Sequence, residues 1–120
     1  MILKILGALC PLILIQFSFA QTPDLDKGRR LYLSKCIQCH NKDPNIKGSL
    51  GPELVDAPLE VMKYKVKTGR YPDVLPKGFI PKRKTKAMRP LPALEKDVPV
   101  IYAWIQSVNR KAKKIPNQVR

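Results

Sequence analysis

Cys36-Ile37-Gln38-Cys39-His40 restricts this chain more than any other stretch of it, because two thiols three positions apart with an imidazole directly after the second match the attachment motif of haem c. The spacing has a chemical reason. In that chemistry both sulfurs form thioether links to the two vinyl groups of one haem, and the next side chain, His40, is delivered to the iron as an axial ligand. Attachment and ligation would come from five residues, and a fold that carries such a group has to wrap it.

The other uses of a Cys-x-x-Cys pair fit less well. The chain holds three cysteines and one histidine. Cys10 lies in a stretch that reads as an export leader over residues 1–20: Lys4 is its positive region, Ile5 to Ile15 its apolar run, and Ser18 and Ala20 are small residues placed for cleavage before Gln21. Leu9 is a poor neighbour for an acylated cysteine, so Cys10 is expected to leave with the leader. That leaves a closed tetrahedral zinc site one ligand short. A thioredoxin-like pair sits near a βαβ pattern and needs no histidine after its second cysteine, and no such strand pattern is present. An uncleaved membrane anchor is the alternative to cleavage, but Pro11 and Gln16 interrupt the apolar run, which is shorter than the ~20 residues that span a bilayer.

Residues 21–120 suffice for one domain, expected over 21–109 with a basic tail at 110–120. An all-α fold follows from the patterning. Thr22 and Pro23 make a capping side chain followed by proline at a first helical position, and Leu25, Gly28, Tyr32 and Cys36 then recur at helical spacing. The first haem cysteine would stand at the end of that helix. A second helix is predicted from near Pro58 to Gly69, with Leu59, Met62 and Val66 on one side. A third runs from about Val98 to Val108 with an apolar face of Ile101, Trp104, Ile105 and Val108, Pro99 being tolerable only in its first turn. Between them Tyr71 to Leu94 reads as loop, with Pro72, Pro76, Pro81, Pro90, Pro92 and Gly78. A loop this long inside a compact domain usually has a function. It contains Met88 and the basic cluster Lys82, Arg83, Lys84 and Lys86.

Over residues 24 to 108 the chain resembles the class I cytochromes c. Lys27-Gly28-Arg29-Arg30-Leu31-Tyr32 before the haem motif resembles that family's first helix, Gly51-Pro52-Glu53-Leu54 its Gly-Pro-x-Leu segment, Ala87-Met88-Arg89-Pro90-Leu91-Pro92-Ala93-Leu94 its methionine-ligand loop, and Ile101-Tyr102-Ala103-Trp104-Ile105 its last helix. Arg89 departs from the pattern, many relatives having proline or a small residue there. The resemblance implies a cytochrome c fold of three main helices and loops around one covalent haem c, held by Cys36 and Cys39 and ligated by His40 and Met88. It further implies that Gly28 lets the first and last helices cross closely, and that the Pro52 carbonyl accepts the second N–H of His40, which fixes the ring. A methionine is otherwise a flexible core filler, the reading that suits Met62. Tyr64, Arg70 and Tyr71 are candidate partners for the haem propionates.

The formal net charge is +14, from 23 Lys and Arg against 9 Asp and Glu, and falls by one when Lys4 leaves. Charge of this size concerns partners rather than fold. An exported protein rarely meets nucleic acid, and the aromatic interleaving of a single-strand platform is absent. An acidic redox partner fits better, since complementary charge speeds short-lived encounters, and Lys82, Arg83, Lys84 and Lys86 flank the ligand loop where such a partner would dock. Weak contact of the basic tail with anionic lipid is a further expectation. With both axial positions filled by protein, a monomeric periplasmic electron carrier is expected rather than an enzyme. A haem sensor or small peroxidase with a labile sixth ligand, or a docking subunit of a larger redox enzyme, is the alternative.

Overall fold

The computed structural model describes residues 21–83, 87–110 and 113. The expected leader, Lys84, Lys86 and the tail apart from Arg110 and Lys113 lie outside the described residues. Three α-helices form, α1 (Leu25–Lys35), α2 (Leu59–Thr68) and α3 (Val98–Ser107), and a 3-10 turn (Pro92–Asp97) leads into α3. The described residues contain no strand.

Local chemistry sets each boundary. The cap of α1 is Asp24 rather than Thr22: its carboxylate accepts the Lys27 N–H at 2.8 Å. A charged acceptor next to the positive end of a helix outcompetes a hydroxyl further out. Helix α2 begins after Pro58, carries Glu60 in its first turn and Lys65 and Lys67 in its last, and stops at Gly69, whose φ of 76° is the left-handed conformation that ends helices. Pro99 lies in the first turn of α3, where its missing N–H costs no hydrogen bond. The loop expected to run to Leu94 ends earlier, at the 3-10 turn.

Packing then joins the two ends of the domain. Tyr32, Val55, Met62, Val98, Ile101 and Ile105 form the buried cluster, so Met62 is a core residue, whereas Leu25 remains 40% exposed. Helices α1 and α3 cross at Gly28, where an added Cβ would run into the carbonyl oxygen of Val100 and lie 3.1 Å from Trp104 Cβ. One turn on, the Tyr32 and Trp104 rings meet with centroids 5.0 Å apart, tilted by 43°. Lys27 Nζ closes the same contact from outside on Asp97 at 2.6 Å. Because the obstacle at Gly28 is backbone, Gly28→Ala is expected to force the helices apart. It should destabilise the protein by about 2 kcal/mol, after the gain in helix propensity, and lower Tm by on the order of 10 °C in a thermal melt.

The far end of α3 is tied to the residues just after the Cys36–His40 segment. Asn45 Nδ2 donates to the Val108 carbonyl at 3.0 Å, the Arg110 N–H donates to Asn45 Oδ1 at 3.0 Å, and the Arg110 guanidinium pairs with Asp43 at 2.6 Å. Gln106 and the buried Asn109 both donate to the Val55 carbonyl. Among the described residues no helix is long and apolar enough to cross a membrane.

Candidate functional site

Cys36 caps the C-terminus of α1, its N–H donating to the Tyr32 carbonyl, and the chain turns back at once: the N–H groups of Cys39 and His40 reach the Cys36 carbonyl at 3.3 and 2.9 Å. Both cysteines and the histidine are thereby presented from one tight turn. Cys36 and Cys39 are free and half-buried. Burial, reinforced by Cys39, pushes the Cys36 thiol up to about 11. An attacking redox cysteine needs the opposite shift, so Cys36 is poorly suited to that role. Among the described residues no group of three or more His, Cys, Asp and Glu side chains is placed to hold a metal ion.

The loop after His40 folds back over the ring. Gly51 and Leu50 donate to the Cys39 carbonyl at 2.8 and 3.1 Å, and Gly48 donates to the Gly51 carbonyl at 2.9 Å. Both glycines are needed for the approach, since a Cβ at Gly48 would meet His40 Cα at 2.6 Å and one at Gly51 would meet the imidazole itself, 2.8 Å from Nε2. His40 Nδ1 lies 2.9 Å from the Pro52 carbonyl oxygen. A carbonyl only accepts, so Nδ1 carries the hydrogen and the neutral ring keeps its lone pair on Nε2. Burial favours that neutral ring and holds the His40 pKa below its ordinary value; the Pro52 bond opposes the shift, and the nearby charges of Lys65 and Arg83 add to it. Tyr32, whose hydroxyl burial keeps protonated, donates to the Asn41 carbonyl at 2.6 Å and anchors the start of this loop to α1.

Met88 is placed by its backbone. Its N–H donates to the Gly69 carbonyl at 2.8 Å, and Leu91 N–H donates to the Val66 carbonyl at 2.6 Å, so the segment 88–91 runs along the end of α2. The side chain is half-buried. A side chain at Gly69 would strike the Met88 carbonyl, so that glycine serves both the helix end and this close approach.

Two members of the basic cluster are engaged within the fold. Lys82 Nζ bonds Glu53 at 2.8 Å and Asp56 at 3.0 Å. Burial alone would lower its pKa, but these two carboxylates outweigh burial and raise it. The lysine in turn holds Glu53 below its ordinary value. Arg83 Nη2 reaches the carbonyls of Gly48 at 2.9 Å and Gly51 at 3.3 Å. Of the propionate candidates, Tyr64 and Arg70 are exposed; Tyr71 is half-buried, with Lys65 Nζ 4.0 Å over its ring and Phe79 6.1 Å away.

Sequence reasoning missed the role of Asp43 and Asn45. The run Asn41-Lys42-Asp43-Pro44-Asn45 carries the signal, since Asn and Asp beside proline favour turns closed by side-chain-to-backbone bonds. Such bonds form here: Asn41 Oδ1 accepts the Asp43 N–H at 2.9 Å, and Asp43 Oδ1 accepts the Asn45 N–H at 3.0 Å. The chain matches no protein-family profile and no solved structure.

Proposed function

We propose that this chain is an exported single-electron carrier of the class I cytochrome c kind, holding one haem c through Cys36 and Cys39 with His40 and Met88 as axial ligands. The observation that supports it best is the His40–Pro52 bond, because it sets the tautomer that leaves Nε2 available to iron and holds the ring in one orientation. The chemistry of the donor set fits the group: two free thiols and an imidazole on one turn, with a thioether on a loop fixed at its backbone. When bound, the haem supplies a one-electron couple, raised in potential by thioether ligation.

The protein's own residues do the rest. Gly51 brings backbone against the imidazole, and Gly48 lets the same loop close onto the backbone of Cys39 and His40. Tyr32 and the Asn41–Asn45 turn hold the loop that carries Pro52 to the α1–α3 pair. With His40 and Met88 both holding the iron, no position would be left for a substrate, so the protein would exchange electrons with other proteins rather than catalyse a reaction. Its excess of basic residues selects acidic donors and acceptors.

The deciding experiment is the absorption spectrum of the exported, haem-loaded protein, reduced and then exposed to carbon monoxide. A low-spin spectrum that carbon monoxide leaves unchanged is the expected result. Rapid formation of the adduct would mean an open sixth position and a sensor or peroxidase in place of a carrier.

A further inference from the structure

Lys82 and Arg83 stand together in a loop whose charges, by sequence alone, belong to docking. Both bind another loop of the same chain. Lys82 holds Glu53 and Asp56, while Arg83 holds the carbonyls of Gly48 and Gly51. The segment gripped on both sides, Gly48 to Asp56, contains Pro52, whose carbonyl orients His40, and Gly51, whose backbone lies against the imidazole. Five residues further along the chain, Met88 is fixed to the end of α2 by its N–H. Arg83 therefore joins the loop that carries the methionine to the loop that covers the histidine.

We propose that Lys82 and Arg83 form a clamp between these two loops, with Arg83 as the positioning residue, so that the methionine and histidine sides of the site open together or not at all. The role assigned to Met88 rests on the haem-carrier reading above; the clamp itself rests on the hydrogen bonds. Arg83 suits the task because its Nη2 lies within reach of both carbonyl oxygens and the rigid planar group fixes that nitrogen's direction, whereas an ammonium sits on a flexible stem. The same contacts commit charge of both residues to this chain, since Lys82 is matched by two carboxylates and Arg83 Nη2 bonds two backbone carbonyls. Acidic partners then meet other lysines and arginines.

The test compares the full-length, haem-loaded protein with Arg83→Lys and Arg83→Ala, by hydrogen exchange at the Gly48 and Gly51 amides and by carbon monoxide binding to the reduced form. Arg83→Lys preserves charge and removes the two-carbonyl grip. A clamp predicts amide exchange and carbon monoxide association each faster by about tenfold in both variants, the loss expected when a charge-assisted hydrogen bond is removed. A docking cation predicts wild-type behaviour for Arg83→Lys in both measurements, and that result would overturn the clamp. Failure of the carrier reading looks different. The unsubstituted protein would then bind carbon monoxide at once, and the amide exchange, which does not involve iron, would still decide the clamp.

Discussion

Met88→Ala is expected to lower the midpoint potential of the haem-loaded protein by on the order of 0.1 to 0.3 V, a fraction of the ~0.8 V range that axial ligands command. The same variant should bind carbon monoxide rapidly when reduced. The direction follows from the ligand chemistry: a thioether favours ferrous iron, and water or a vacant position in its place does not. The fold should survive, because Met88 lies outside the buried cluster and is held through backbone atoms that alanine retains. Loss of potential with an unchanged melting profile would separate ligand from packing. An unchanged potential in redox titration would remove Met88 from the iron and leave the chain without an evident sixth ligand.

Cys36→Ala, Cys39→Ala should have the larger structural effect. The helices are 11, 10 and 10 residues long, at or below the length at which an isolated helix is marginal in water, so they depend on tertiary packing. That packing is small, with Tyr32, Ile105 and Val98 the large side chains fully buried. Meanwhile Leu50, Val74 and Ile80 stand 69%, 86% and 78% exposed, apolar surface that the polypeptide alone leaves to water. The double variant, unable to retain haem covalently, is expected to lose roughly half or more of its helical circular dichroism and to melt without a cooperative transition. Native helix content with a sharp transition would show that the polypeptide core is sufficient by itself.

Helix α2 was legible in the sequence because its stops are local: Pro58 and Gly69 act through their own backbone preferences, and Leu59, Met62 and Val66 share a face. Helix α3 was legible for a similar reason, its apolar run being dense enough to override Pro99. The start of α1 was misplaced because Thr-Pro and Asp both cap helices, and the choice depends on whether Asp24 reaches the Lys27 N–H. The 3-10 turn was hidden because a single short turn after Pro90 leaves no apolar stripe to read. At the site, Cys36, Cys39 and His40 announce themselves by spacing. The contacts of Lys82 and Arg83 within the chain do not, since their partners lie 26 to 35 residues away and a run of basic residues looks the same whatever it faces.

The meeting of α1 with α3 also governs when this domain can exist. Lys27 and Asp97 are 70 residues apart in the chain, and closing a loop of that length costs about 4 kcal/mol of chain entropy before any contact returns it. The Tyr32 ring and Gly28 meet Trp104 and Val100 on α3, so a nascent chain that stops short of Val98 has half of its central contact missing. Folding of this domain therefore waits until α3 has been made. A chain built this way stays threadable until α3 is made, a state that suits the export and later haem loading proposed above.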